Sequence, residues 1–401
     1  MYLDELNRCL GCKKPRCSQG CPAKTPIYDI FNCLKNGLEE EAGRLFFENN
    51  PLSYLCSLVC DHAKQCYGNC VLNAKGNPIK VYEIEQEVSK KYLDMLKLNK
   101  PVPNGKKVAI VGAGPAGITA SIKLALKGVS VTLFEANEKI GGVLQYGIPA
   151  FRLDRSIIKK YEDILRSLDV KIRYNTLIGQ TLTLDVLQKE YDAIILTVGL
   201  QKASSLKLEG EGLSTTYYAI DYLKNADSIK LGDKVVVIGA GNVAMDAARS
   251  AKHYGSKEVY VFYRADESRM KATKKEIQEA KDEGVIFKLC ARPIKIIEGN
   301  FIYRNTEQLE DKSIRDLDEV DHAFSCSNVI IATGQETRMD FNSENLKYNK
   351  YRLLEVDENY MTSLENVYAC GDIVSGAKTV VEAMDMAKKC VACLCDKLQI
   401  D

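Results

Sequence analysis

KKVAIVGAGPAGITASIKLALKGVSVTLFEANEKIGG, residues 106–142, decides the fold. An apolar run ends in Gly112-Ala113-Gly114, a helical pattern follows at once, and a second apolar run closes on Glu135. Strand, turn, helix and strand in that order open a parallel α/β sheet. Each glycine of this G-x-G-x-x-G has a physical task. Gly112 permits the tight turn and Gly114 lets the backbone approach a pyrophosphate. Gly117 lets the helix pack closely on the strand, with phosphates at the helix N-terminus. Glu135 stands at the distance expected of a ribose-binding carboxylate. The plain alternative is a glycine turn in an unliganded domain, and the placed carboxylate argues against it.

The pattern returns in DKVVVIGAGNVAMDAARSAKHYGSKEVYVFYRADESRM, residues 233–270, with Gly239, Gly241 and Ala244. Here Arg264 stands where Glu135 stood. An arginine there can hydrogen-bond a 2′-phosphate, which favours NADP over NAD. Arg269 and Lys271 add positive charge, while Asp266 and Glu267 dilute it; for Arg269 a solvated charged loop is the competing reading. Two shorter strand-like runs, YDAIILTVG and SNVIIATG, end in Gly199 and Gly334. A last strand, a Gly371-Asp372 turn and a helix run toward the C-terminus.

The rest of the chain fits around these two units. At 401 residues, two to three domains are expected at about 100–200 residues each. Residues 1–100 read as mostly helical, with apolar spacing in IYDIFNCLKNGLEEEAGRLFFEN and IKVYEIEQEVSKKYLDMLKL. NKPVPNGK (99–106) reads as a linker. Lys plus Arg is 55 and Asp plus Glu is 54, a net charge of +1 that gives no footprint for nucleic acid or an anionic membrane. No apolar run reaches the roughly 18 residues of a membrane helix, and the polar, acidic start is unlike a signal peptide. A cytoplasmic protein is expected.

Cysteine is the unusual component. Nine of the 15 lie in the first 70 residues and none between 71 and 289. A secreted disulfide framework fits an even count in a short chain, so metal is the better reading. Cys9, Cys12, Cys17 and Cys21 are spaced C-x2-C-x4-C-x3-C before Pro22, like a bacterial ferredoxin run. Cys56, Cys60, Cys66 and Cys70 supply four more thiols. Two cubane clusters need eight ligands. Zinc is the rival, but its usual paired C-x2–4-C arms fit the five-residue gap less well. Cys33, on an apolar helix face, reads as a buried thiol.

Taken together, RCLGCKKPRCSQGCP, LCSLVCDHAKQCYGNC, GAGPAG, FEANEKIGG, YGIPAFRL, GAGNVAMD and ACGDIVSGAKTVVEA resemble the glutamate synthase small-chain family. That family includes the pyridine-nucleotide half of dihydropyrimidine dehydrogenase and the large subunit of ferredoxin–NADP transhydrogenase. The resemblance covers essentially the whole chain. It implies an α/β protein in which a helical iron–sulfur domain (1–100) precedes two Rossmann-like domains. The FAD domain is discontinuous (101–230 and 335–401), with the NAD(P)H domain (231–334) inserted in it. It implies FAD at Gly112, Gly114, Pro115, Ala116, Gly117, Glu135, Gly142, Val143, Arg152, Gly371, Asp372, Lys378, Thr379 and Val380. For Arg152 the competing reading is a surface arginine near a proline turn. NADP(H), or NAD(H), falls to Gly239, Ala240, Gly241, Asn242, Val243, Arg264, Lys271, Thr333 and Gly334. Many relatives have two adjacent arginines where this chain has Arg264-Ala265, a departure that bears on the NADP preference. Two 4Fe-4S clusters are implied, one on Cys9, Cys12, Cys17 and Glu85, the other on Cys21, Cys60, Cys66 and Cys70. Counting thiols had favoured Cys56 over Glu85.

The chemistry expected is the cofactors' own, with no catalytic acid–base residue. NAD(P)H reduces the flavin, and two clusters carry single electrons onward. The helix near Lys378-Thr379 is expected to aim its N–H groups at the flavin ring. No segment is left over for a separate substrate domain, so a flavin-bearing partner subunit docked on residues 1–100 is expected. One alternative is a thioredoxin reductase-like disulfide reductase. It needs a C-x-x-C pair, and residues 231–334 hold only Cys290 and Cys326. A non-enzymatic iron–sulfur redox sensor is the other.

Overall fold

The computed structural model describes residues 2–400 apart from 310, 312, 339–340 and 342–344. The chain forms two compact units. The first comprises Met1–Gln145, Leu153–Leu200 and Thr337–Asp401, and the second Tyr146–Arg152 and Gln201–Glu336.

The N-terminal part of the first unit is built from short helices. Ile27–Lys35 buries Ile27, Ile30, Phe31 and Leu34, the stripe of an amphipathic helix. Glu39–Asn49 buries Phe46 and Val81–Met95 buries Ile84 and Val88; these faces share one core with Leu6 and Ile79. Each such buried side chain contributes about 1.5–3 kcal/mol, which is what holds helices too short to be stable alone. A Cβ on Gly43 would lie 2.5 Å from Tyr92 Cβ, so the glycine is what lets these two helices approach.

A five-stranded parallel sheet completes this unit. Its order is Val367–Ala369, Ala193–Leu196, Lys107–Val111, Ser130–Phe134 and Lys171–Arg173. Val108, Ala109 and Ile110 are fully buried, which is why the strand reads as one apolar run. Lys107–Val111 pairs with a later strand on each side, so strand order reverses at its C-terminal end. That is where α/β sheets bind ligands, and the first glycine turn sits there. The following helix, Pro115–Leu126, packs on the terminal helix Val380–Leu398.

The second unit repeats the scheme with Thr216–Tyr218, Asn328–Ile331, Lys234–Ile238, Glu258–Phe262 and Ile286–Lys288, all parallel. Thr216–Tyr218 is an edge strand of this sheet, so the unit takes in residues from Gln201 instead of starting near 231. An antiparallel insertion follows the fifth strand. Ala291–Ile297 and Asn300–Gln308 form a hairpin turning at Glu298-Gly299, where Gly299 has φ +75°. Ile314–Asp316 and His322–Ser325 pair with the second arm. No helix among the described residues is long and apolar enough to cross a membrane.

Candidate functional site

The first glycine turn is shaped by what a side chain would hit. Gly112 has φ +104°, and a Cβ there would meet Thr197 O at 2.8 Å; one on Gly117 would meet Gly112 O at 1.9 Å. At Gly114, by contrast, nothing lies closer than Gly142 Cα at 3.9 Å. The backbone is therefore bare where a pyrophosphate would approach. No side chain caps the helix that starts at Pro115, leaving its first N–H groups available for phosphate. Glu135 is buried, its Oε2 accepting from Ala113 N at 2.9 Å and its Oε1 from Asn137 N at 2.8 Å. That fixes the carboxylate at the rim of the turn. The residues present thus form a cradle that fits a dinucleotide.

Gly371 closes the cradle from another direction, since a Cβ on it would stand 3.2 Å from Ala116 Cβ. Burial pushes the Asp372 carboxyl up to about 7, and its Oδ1 accepts from Lys378 N at 3.3 Å. The terminal helix begins at Val380 behind a capping box. Thr379 Oγ1 accepts from Glu382 N, and Glu382 Oε2 accepts from Thr379 N at 2.9 Å. Two of the N–H groups expected to face the flavin ring are therefore already engaged.

In the second unit, Gly239 has φ +129° and a Cβ there would lie 2.4 Å from Ala332 O, whereas Gly241 faces open space. The helix Asn242–His253 has no side-chain cap either. Lys271 N and Ala272 N both donate to Ala240 O at 3.0 Å, and Thr273 N donates to Asn242 Oδ1 at 3.0 Å. These bonds pin Lys271 beside the turn. Arg264 is exposed just beyond Glu258–Phe262, and its carbonyl accepts from Thr306 Oγ1 at 2.9 Å. Thr333 and Gly334 follow the strand Asn328–Ile331. Arg152 is not the surface arginine of the competing reading. It is largely buried in the second unit and ion-paired with Asp246 and with Glu276, the latter at 2.6 Å.

The cysteines divide into two groups. Cys9, Cys12, Cys17 and Cys70 line one pocket, partly open to solvent, together with Ile27, Phe31, Ile79 and Val81. Ile79 N donates to Cys70 Sγ at 3.4 Å. Burial pushes the Cys17 thiol up to about 11, with Cys70 and Cys9 as neighbours. Glu85 lies instead within electrostatic range of Cys21, Cys60 and Cys66. It is half-buried as a residue, but its carboxyl end is packed round, and that burial pushes it up to about 8. Family resemblance implies Glu85 with Cys9, Cys12 and Cys17; in the structure Cys70 lines their pocket, and Glu85 neighbours Cys21, Cys60 and Cys66. Cys56 is buried and shares a hydrogen bond with the Cys60 thiol.

Among the described residues no three His, Cys, Asp or Glu side chains converge on a point that would hold a single metal ion. Ligands of a cubane bind four different irons and need not converge. Two thiol-rich groups of four, one with a carboxylate, have donor chemistry that fits 4Fe-4S ligation. Lys388, on the terminal helix, reaches the second group's loop: its Nζ donates to Ala23 O at 3.2 Å and Asn49 Oδ1 at 3.0 Å.

Residues 106–387 match the pyridine nucleotide-disulphide oxidoreductase family, and residues 1–96 match the dihydropyrimidine dehydrogenase domain II, 4Fe-4S cluster family. The chain is 29% identical to the glutamate synthase [NADPH] small chain of Escherichia coli (strain K12), over 96% of this chain and 89% of that one. It is 33% identical to the NAD-dependent dihydropyrimidine dehydrogenase subunit PreT of Escherichia coli O157:H7, over 97% and 92%. In fold it is similar to FprA from Mycobacterium tuberculosis, with a TM-score of 0.66 at 19% identity over 73% of this chain and 85% of that one. Two bare glycine turns on parallel sheets, behind a cysteine-rich helical segment, thus go with sequence similarity along nearly the whole chain, which belongs to the iron–sulfur flavoprotein oxidoreductases of the glutamate synthase small-chain and dihydropyrimidine dehydrogenase type.

Proposed function

We propose that this chain oxidises NAD(P)H at FAD and passes the electrons singly through two 4Fe-4S clusters to a partner subunit. The observation that carries the reading is the division of eight ligand-type side chains into two groups of four. Cys9, Cys12, Cys17 and Cys70 would hold one cluster, and Cys21, Cys60, Cys66 and Glu85 the other. Bound FAD supplies the conversion between hydride chemistry and one-electron chemistry.

The chain's own residues bind and orient. The Gly112–Gly117 turn and the uncapped N-terminus of Pro115–Leu126 would take the FAD pyrophosphate, with Glu135 at the ribose and Gly371-Asp372 beside the flavin's phosphate end. Gly239, Gly241 and the N-terminus of Asn242–His253 would take the nicotinamide nucleotide. Arg264 and Lys271 would bind a 2′-phosphate by charge-assisted hydrogen bonds. Arg152 holds Asp246 and Glu276 and is better read as a brace of the second unit than as a flavin contact. The Lys388 contact puts the terminal helix, which starts at the cradle, against the Cys21 loop. This orders the wire: FAD cradle, then the Glu85 group, then the Cys9 group. Residues 1–100, 101–200 with 337–401, and 201–336 are the corresponding cluster, FAD and nicotinamide domains.

Two relatives are themselves named as a small chain and a subunit. That supports a partner here, and a one-electron wire would be superfluous for exchange between NADPH and a small molecule. A disulfide reductase is not favoured, because the second unit offers Cys290 and Cys326 with no C-x-x-C. Metal analysis with electron paramagnetic resonance tests the proposal. About eight irons and eight sulfides are expected per chain, as two cubanes require. Cys70→Ser and Cys9→Ser should remove one cluster signal, and Glu85→Ala and Cys60→Ser the other. About four irons would overturn the two-cluster reading, and Cys70→Ser removing the signal lost in Cys60→Ser would overturn the division.

A further inference from the structure

The segment that carries Cys9, Cys12 and Cys17 has an unusual charge pattern. The chain as a whole is balanced at 55 basic and 54 acidic residues, yet residues 6–28 hold Arg8, Lys13, Lys14, Arg16 and Lys24 with no Asp or Glu. Lys13, Lys14 and Arg16 are exposed, and among the described residues none of them has a recorded ion pair or hydrogen bond. Some exposed cations elsewhere in this unit are matched: Arg44 pairs with Glu41 and Glu48, Lys91 with Glu39, and Lys159 with Asp163. Of the carboxylates that flank the segment, Glu5 is taken by Arg8, while Asp4 and Asp29 are exposed.

Two cations border a largely apolar opening. Arg16 and Lys35 line the pocket that holds Cys9, Cys12, Cys17 and Cys70, and Lys35 Nζ donates to Cys9 O at 3.4 Å. Leu10 and Tyr28, also lining it, are 65% and 37% exposed. An apolar centre with a charged rim is the anatomy of a protein–protein interface. Because Lys13, Lys14 and Arg16 have no ion pair among the described residues to give up, an acidic surface meeting them gains attraction without breaking one.

We infer that Arg16 and Lys35 on the rim of the Cys9/Cys12/Cys17 pocket, with the exposed Lys13 and Lys14 that follow Cys12 in sequence, form the docking face for the acidic surface of a one-electron redox protein. The inference rests on the proposed two-cluster wire and adds its exit and the character of its partner. The half-buried thiols of the pocket put the outer cluster where a docked protein comes nearest. The electron balance is simple: one NADPH oxidised to NADP⁺ and a proton reduces two carrier molecules by one electron each, and the reverse flow balances in the same way.

The test uses the cluster-loaded full chain and two probes of opposite charge. An acidic two-cluster ferredoxin, reduced beforehand, serves as donor for NADP⁺ reduction, and basic cytochrome c serves as acceptor from NADPH. With ferredoxin the wild-type rate should fall as salt is added, because screening removes the steering. The Lys13→Glu/Lys14→Glu variant should raise the ferredoxin KM about tenfold or more and leave kcat within about twofold. It should bind iron normally, reduce dyes normally and use cytochrome c better than wild type. A salt-independent ferredoxin rate, or an equal loss with both carriers, overturns the docking face. The wild-type salt series stands even if the double variant loses iron. Exchange with cytochrome c but not with ferredoxin sinks the docking inference alone; dye reduction with neither carrier served sinks the proposed wire itself.

Discussion

Arg264 occupies the end of a strand where the first nucleotide unit has a carboxylate, and the structure leaves its side chain exposed. The contrast with Glu135 is chemical. Glu135 is buried and accepts from two backbone N–H groups, so it is preset as an acceptor for ribose hydroxyls. Among the described residues Arg264 is held through its carbonyl alone, and it can swing a guanidinium onto an anion. A charge-assisted bond to phosphate contributes about 1.5–3 kcal/mol, so Arg264→Ala should weaken NADPH about ten- to a hundredfold. NADH should be affected little. Flavin reduction titrated with each nucleotide measures both; equal losses would make Arg264 a structural residue. The same scale shows where spacing alone stopped. Cys70 follows Cys66 by four residues and could serve either cluster on paper. Only the fold places it across a pocket from Cys17 and sets Glu85 against Cys21, Cys60 and Cys66.

At the scale of elements, the helix Pro115–Leu126 carries an electrostatic cost that titration can expose. Burial pushes Lys123 down from its ordinary 10.5 to about 8, while its Nζ donates to the carbonyl of Glu48. The folded chain then binds fewer protons than the unfolded chain between those two values. Stability therefore rises with pH across that window, and below pH 8 the buried ammonium costs up to roughly 3 kcal/mol. Lys123→Met should be more stable than wild type near pH 7 by somewhat less than this, since the bond to Glu48 is also lost. The gap in thermal-unfolding midpoint should narrow steadily toward pH 10. A gap that stays constant with pH would mean that the ammonium is solvated in the folded chain.

The elements also show what could be read in advance and what could not. Both glycine turns lie between the strands and helices their spacing announced, because Gly112 and Gly239 need positive φ and sit against a neighbouring strand's carbonyl. The antiparallel insertion was missed, although ARPIKIIEGNFIYRN carries its signal: alternating residues either side of a Glu-Gly turn. The boundary near 201 left almost no trace, since Thr216–Tyr218 is three half-buried residues whose pairing partner lies more than a hundred positions away. Arg152 was beyond reach for a similar reason. Its partners Asp246 and Glu276 are distant in sequence, and only the fold brings their carboxylates to its guanidinium.

For the molecule as a whole, the proposed function requires electrons to pass between a nicotinamide site and two clusters. One measurement addresses that path directly. The purified, cluster-loaded chain is reduced with dithionite, freed of excess reductant without oxygen, and mixed with NADP⁺ while cluster signals are followed by electron paramagnetic resonance. Both cluster signals should fade as NADPH appears, with two electrons recovered per NADPH formed. In Cys60→Ser the remaining Cys9-group signal should persist, because the inner step of the wire is gone. Cluster signals that survive in the wild type while only the flavin is reoxidised would contradict the path, and with it the claim that this chain is a wire from NAD(P)H to its clusters.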